Sequence, residues 1–141
     1  MTPKRTATIS LGVAGLFSSA MGAYHFFLPS QFHWGRFLTK VPQPIPWALF
    51  SINFFFSFLL LAGGILTFIA LRALRRSSQC DRGILIAMAG FWLVNSLYQI
   101  FIPMPLPPKL WPLHIVLTGF AVMTTLAYVV SLLAMRAARP R

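Results

Sequence analysis

Residues 47–71 have the sequence WALFSINFFFSFLLLAGGILTFIAL, a long apolar run without Asp, Glu, Lys or Arg. The hydrocarbon core of a bilayer is about 30 Å thick, and about 20 apolar residues span it as an α-helix. Because lipid offers no hydrogen-bond partners, the backbone of such a run must pair its own polar groups, as a helix does. Other long stretches are equally free of charge, and together they predict four membrane-spanning helices, near residues 9–28, 47–71, 83–102 and 111–135.

The overall composition excludes most other classes of protein. Only 9% of the 141 residues are charged, and Asp81 is the single acid. Soluble domains carry about 25% charged residues, and disordered chains are far less hydrophobic than the 57% found here. The single cysteine, Cys80, excludes an internal disulfide, and one acid excludes catalysis by paired carboxylates. We therefore expect one all-α domain over residues 1–141, an integral membrane four-helix transmembrane bundle.

The basic residues predict the orientation of this bundle. Nine of the twelve Lys and Arg residues fall on one predicted side of the membrane, and three fall on the other, namely Arg36, Lys40 and Lys109. Short basic loops stay in the cytoplasm, so both termini should be cytoplasmic. A net charge of +11 also suggests nucleic acid as a partner. The topology explains the charge better, and we expect a lipid bilayer and no nucleic acid.

Prolines mark the two loops on the opposite side. Nine of the eleven prolines lie in or beside residues 29–46 and 103–112. Proline fixes its own φ and lacks a backbone donor, so these loops should be stiff and extended. Pro29 and Pro103 should end helices one and three. Trp47 and Trp111 should begin helices two and four at the depth of the membrane interface.

The two halves of the chain are similar at this edge. Residues 24–29 (YHFFLP) align with residues 98–103 (YQIFIP), and both are followed by a proline-rich loop and a tryptophan. A duplication would make the chain a parallel repeat of two helical hairpins. Chance similarity between apolar helix ends is the alternative.

Small residues predict where the helices pack. Lipid is as apolar as leucine, so helices associate through close packing and polar contacts. Helix one carries two pairs of small residues four apart, Gly15 with Ser19 and Ser18 with Gly22, and also Gly12. Helix two carries Ala62, Gly63 and Gly64, and helix three carries Ala87, Ala89 and Gly90. We expect helices one to three to meet on these surfaces; a self-association face is the alternative.

Polar residues inside the predicted spans are the first candidates for a functional site. Asn95 and Gln99 are four residues apart and share a helix face close to Tyr98. They could bind a small polar headgroup near the outer leaflet. Hydrogen bonds between helices are the alternative.

Two histidines complete the set of candidate ligand-binding residues. His25 lies one turn before Pro29, and His114 lies three residues after Trp111. The pair could bind a haem iron axially or donate to a quinone carbonyl. A metal site normally has further ligands, and no acid or cysteine lies nearby to supply them, so we expect no metal site. An interfacial hydrogen-bonding role is the simpler alternative, and we identify no catalytic residue.

Several short motifs lie at or near the ends of the first three predicted helices. They are His25-Phe26-Phe27-Leu28-Pro29-Ser30-Gln31-Phe32, then Val41-Pro42 and Pro44-Ile45-Pro46, the Gly63-Gly64-Ile65-Leu66 segment, and Asn95 with Pro103. In these motifs the sequence resembles the DoxX-like family of small four-helix bacterial membrane proteins. The resemblance covers roughly residues 10–105 and implies a multi-pass protein of the bacterial inner (plasma) membrane. Relatives often carry a glutamate in helix two where this chain has Leu59 and Leu60, and some are membrane subunits in thiosulfate:quinone oxidation.

These features predict a non-catalytic role. We expect an accessory subunit, or a binder of a lipophilic small molecule, with His25, Gln99 and His114 on its working surface at the outer face of the membrane. Partners would be the bilayer and a larger membrane complex or a homo-oligomer. Two alternatives stay open, namely a membrane subunit of a quinone-linked oxidoreductase and a small-solute transporter acting as an oligomer.

Overall fold

Four helices of the protein are long and apolar enough to cross a membrane. The computed structural model describes residues 2–77, 82–104 and 106–138. Its helices are α1 (Pro3–Gln31), the short α2 (Trp34–Phe37), α3 (Pro44–Ser77), α4 (Gly83–Phe101) and α5 (Trp111–Ala137). The prediction of an all-α chain with four long apolar helices is confirmed. The loop around Cys80 and Asp81 lies outside the described residues.

Prolines begin three of the long helices. Pro3, Pro44 and Pro112 lie in the first turns of α1, α3 and α5, where the missing N–H removes no helical hydrogen bond. The helices also extend past the predicted bounds: α1 begins six residues before residue 9, and α3 continues to Ser77 instead of ending at residue 71. The predicted bounds follow the apolar run, which has the length needed to cross a membrane. The helix itself continues beyond that run into the charged residues on either side.

The prediction that Pro29 ends the first helix is wrong. Pro29 lies inside α1, which continues to Gln31. Proline in a helix removes the N–H that would bond the carbonyl four residues earlier, here that of His25. Asn53 of α3 supplies the replacement, because its Nδ2 donates to the His25 carbonyl oxygen at 2.9 Å. A side chain on another helix therefore allows α1 to pass through its proline.

The loop between α1 and α3 is also less extended than predicted. It contains α2 and a single 3-10 turn over Leu38–Lys40. His33, before α2, has a left-handed backbone with φ of 50°. The second loop has a 3-10 turn over Pro108–Leu110 directly before α5. Tight helical turns satisfy backbone groups locally, so a proline-rich loop need not be extended.

The long helices form a bundle with α1 next to both α3 and α5, and with α4 against α5. The fourth side, between α3 and α4, is packed less closely. Neighbouring helices run antiparallel: Gly12 of α1 faces Leu71 of α3, and Gly22 faces Leu61. The parallel repeat of two hairpins stays a prediction. The two hairpins are packed unequally, because α1 contacts α3 more extensively than α4 contacts α5.

Glycines bring the backbones of α1 and α3 together. A Cβ added to Gly22 would lie 2.5 Å from the backbone nitrogen of Leu61, and one added to Gly64 would lie 2.7 Å from that of Ser19. The predicted small-residue contact is thus present between these two helices. On α4, Ala89 is partly buried against the core, whereas Ala87 and Gly90 are exposed and nothing lies within 4 Å of a Cβ added to Gly90. This helix also places the side chain of Met88 against Gly63.

The two ends of the bundle differ in charge. One end, called the basic end here, carries seven of the described Lys and Arg residues: Lys4, Arg5, Arg72, Arg75, Arg76, Arg82 and Arg136. The other, called the proline-rich end, carries Arg36, Lys40 and Lys109. At the basic end, Arg82 Nη2 donates to the carbonyl oxygen of Met135 at 2.9 Å, which satisfies an acceptor in the last turn of α5.

Candidate functional site

A cavity of about 410 Å³ lies in the half of the bundle next to the proline-rich end. Residues of all four long helices line it, and the loop before α5 adds Pro103, Met104 and Leu106. Apolar side chains make most of its wall, such as Leu28 of α1 and Leu117 of α5. Ligand pockets typically measure about 300–1,000 Å³ and have apolar walls with a few polar groups. The cavity is therefore large enough for a small molecule.

All five candidate residues chosen from the sequence line this one cavity: His25, Asn95, Tyr98, Gln99 and His114. They come from α1, α4 and α5. Each of the five lies in the half of its helix next to the proline-rich end, so they lie at one level of the bundle. The structure brings the predicted site together in space.

The two amides of α4 are joined to each other and to α5. Gln99 Nε2 donates to Asn95 Oδ1 at 3.2 Å, and Thr118 Oγ1 donates to Gln99 Oε1 at 3.4 Å. Both amide oxygens therefore accept a hydrogen bond from the protein. The Nδ2 group of Asn95 has no hydrogen-bond partner among the described residues. Its two N–H groups can donate to a bound molecule.

The two histidines offer further hydrogen-bonding groups. The His25 ring packs 4.9 Å from the ring of Phe56, and the His114 ring packs 5.8 Å from that of Trp111. Within the described part of the chain, neither imidazole has a hydrogen-bond partner. The described residues contain no group of three His, Cys, Asp or Glu side chains that could hold a metal ion. Haem or quinone coordination by the histidine pair stays a prediction.

Trp92 lines the deep part of the cavity and is 1% exposed. Its indole Nε1 donates to Ser18 Oγ at 2.9 Å. Ser18 is 3.0 Å from Tyr128 Oη, which is 2.8 Å from Thr67 Oγ1. Thr67 donates to the carbonyl oxygen of Gly63 at 2.7 Å. Four side chains, one from each long helix, thus form a single buried chain of hydrogen bonds below the cavity.

The predicted site does not include these four hydrogen-bonded side chains. The pattern of small residues places Ser18 at a helix contact, and Thr67, Trp92 and Tyr128 belong to none of the motifs described above. One indication was present: three of the four tryptophans fall at the proline-rich end, whereas Trp92 falls in the middle of its helix. A tryptophan or tyrosine buried in an apolar helix usually has a hydrogen-bond partner.

Charged side chains are absent from the part of the cavity that the structure describes. Its lining contains no Lys, Arg, Asp or Glu. The polar groups that remain are imidazoles, amides, phenols and the indole. These groups can orient a neutral ligand by hydrogen bonds, but they include no set of nucleophile, base and acid.

Comparison of the chain with protein-family models, with curated proteins and with solved structures gave no match. Any functional assignment therefore depends on the bundle and its cavity.

Proposed function

We propose that this chain is a multi-pass membrane protein that binds a lipophilic small molecule in the cavity at its proline-rich end. The observation that carries the proposal is the convergence of five hydrogen-bonding residues on one otherwise apolar cavity of about 410 Å³. A soluble substrate would favour a charged, water-filled site. Apolar walls with a few polar groups instead suit a molecule that partitions into the bilayer.

The orientation that we propose has both termini in the cytoplasm and the cavity near the outer face. Seven described basic residues at the basic end against three at the other support it, since basic flanks are retained on the cytoplasmic side. The membrane would be the inner (plasma) membrane of a bacterium. Because Tyr98 and Ile102 are more than half exposed beside the cavity, the outer leaflet is the natural source of the ligand.

Kinship with the DoxX-like family is part of the proposal. The segment that carries the resemblance, residues 25–32, contains His25 of the cavity and the unusual Pro29. A role as an accessory subunit agrees with this kinship if the ligand is shared with a partner enzyme.

The experiment is to identify molecules that co-purify with the protein and to block the cavity. Protein is purified in mild detergent, extracted with organic solvent and analysed by mass spectrometry. Leu117→Trp places a large side chain in the cavity, and Leu133→Trp, at a position of α5 that is 57% exposed, is the matched control. We expect a lipophilic compound in stoichiometric amount with wild type and Leu133→Trp, and its loss with Leu117→Trp. Equal recovery from all three proteins would contradict the proposal.

A further inference from the structure

We propose that the ligand is an uncharged lipophile with a hydrogen-bond-accepting carbonyl group, which the amide N–H groups of Asn95 and Gln99 hold. This inference rests on the proposed function and specifies its ligand class. It also specifies the route, because the ligand would enter sideways from the bilayer, between α3 and α4.

The preference for an acceptor follows from how the two amides are used. Thr118 donates to Gln99 Oε1, and Gln99 Nε2 donates to Asn95 Oδ1. An amide has two donor hydrogens and an acceptor oxygen with two lone pairs. Each of the two oxygens already accepts one bond, whereas both hydrogens of Asn95 Nδ2 and one of Gln99 Nε2 have no partner among the described residues. The amide pair therefore offers donors to the cavity, and the complementary ligand group is a carbonyl oxygen.

The preference for a neutral molecule follows from the charges. The cavity lining that the structure describes has no Lys or Arg to pair with an anion and no Asp or Glu to pair with a cation. A charge that leaves water without a counter-ion has a large unfavourable desolvation energy. A carbonyl loses much less on leaving water, and the amide donors restore its hydrogen bonds.

The route between α3 and α4 follows from the packing of the bundle. These two helices form its least closely packed side. Phe56 of α3 and Tyr98 of α4 both line the cavity, and Tyr98 is 59% exposed. A lipophile dissolved in the outer leaflet would reach the amides here without crossing water.

Fluorescence of Trp92 gives a direct test, because this side chain lines the cavity. The substitutions Trp34→Phe, Trp47→Phe and Trp111→Phe leave Trp92 as the single tryptophan, in nanodiscs of phosphatidylcholine. Three brominated quenchers of one chain length are compared: a bromoalkyl methyl ketone, a bromoalkane and a bromoalkanoate. We expect half-maximal quenching by the ketone at about 5-fold lower membrane concentration than by the alkane, as one additional hydrogen bond would give.

Two variants connect this preference to the amides. The double variant Asn95→Leu with Gln99→Leu should remove the ketone preference and leave quenching by the alkane unchanged. The matched control is Thr124→Val, since Thr124 is buried on α5, bonds the Phe120 carbonyl of its own helix and does not line the cavity. It should keep the full preference. A preference that survives the double variant would overturn the assignment of the amides.

The three quenchers also separate this inference from the proposed function. Equal quenching by the ketone and the alkane would overturn the carbonyl preference but leave the cavity as a lipophile site. Strongest quenching by the alkanoate would overturn the neutral ligand class. Quenching no greater than that of a single-span peptide with a tryptophan at the same depth would refute both proposals.

Discussion

The indole of Trp92 in α4 donates to the hydroxyl of Ser18 in α1, although these two helices are not neighbours in the bundle. On the other diagonal, Tyr128 of α5 bonds Thr67 of α3. The direction of every bond is determined. Because Thr67 gives its only hydroxyl hydrogen to the Gly63 carbonyl, Tyr128 must donate to Thr67, and Ser18 must then donate to Tyr128. Hydrogen bonds aligned in this way polarise and strengthen one another.

Removing the Tyr128 hydroxyl, at the centre of this chain of hydrogen bonds, should destabilise the bundle. Tyr128→Phe leaves Ser18 without its acceptor and Thr67 without its donor. Hydrogen bonds inside membranes contribute about 1 kcal/mol, so we expect the free energy of unfolding to fall by about 1–2 kcal/mol. The measurement is reversible unfolding in mixed micelles, followed by circular dichroism. Tyr98→Phe is the control, because the hydroxyl group of Tyr98 has no hydrogen bond within the described residues, and an equal loss there would contradict the prediction.

Adding a methyl group at the α1–α3 contact should separate these helices. In Gly22→Ala the new Cβ meets the backbone of Leu61, which cannot move aside as a flexible side chain could. Overpacking of this kind typically destabilises by about 1–3 kcal/mol. We expect a lower midpoint of thermal unfolding in detergent. Gly90→Ala is the matched control, since nothing lies within 4 Å of a Cβ added there and alanine favours a helix over glycine, so its midpoint should not fall.

Asn53 and Pro29 should be coupled in stability. Asn53→Leu leaves the His25 carbonyl without a donor, which we expect to cost about 1–3 kcal/mol of unfolding free energy. Adding Pro29→Ala restores a backbone N–H at residue 29 that can reach the same carbonyl. The double variant should therefore be more stable than Asn53→Leu alone in the same unfolding assay. If Pro29→Ala and Asn53→Leu each lower the free energy of unfolding and the two losses add in the double variant, then the His25 carbonyl does not couple these two residues.

Labelling of single cysteines tests the proposed orientation. In a Cys80→Ser background, Thr39→Cys lies in the loop at the proline-rich end and Ala138→Cys lies at the basic end; both positions are exposed. A membrane-impermeant maleimide added to intact spheroplasts should label the first within minutes and the second only after permeabilisation. The reverse pattern would place the termini outside.

The long helices could be predicted because they depend on composition alone. A charge-free run such as residues 47–71 leaves the backbone no state other than helix in lipid. The candidate site was predictable for a related reason. His25, Asn95, Gln99 and His114 all lie in the halves of their helices next to the proline-rich end, so antiparallel helices bring them to one level of the bundle. That they share one cavity depends on rotation of the helices, which the sequence does not specify.

The features that the sequence did not reveal depend on contacts between distant residues. The rule that proline ends a helix is local, whereas the donor that relieves Pro29 lies 24 positions later, in Asn53. Likewise, Thr67 and Tyr128 are each ordinary in their own helices. Only their packing shows that they form one bonded group with Ser18 and Trp92. The parallel repeat and the membrane orientation remain predictions.

The Asn53 amide takes the place of the backbone N–H that Pro29 lacks, and this has a consequence for how the sequence can evolve. A lineage that loses Pro29 regains the main-chain bond and no longer needs an amide at position 53, so an apolar residue becomes acceptable there. A lineage that gains the proline before the amide loses stability in the intermediate. The amide at position 53 must therefore be present before the proline appears at position 29. Homologous sequences should therefore show proline at 29 together with asparagine at 53, and they should lose the two residues in a fixed order, the proline before the amide.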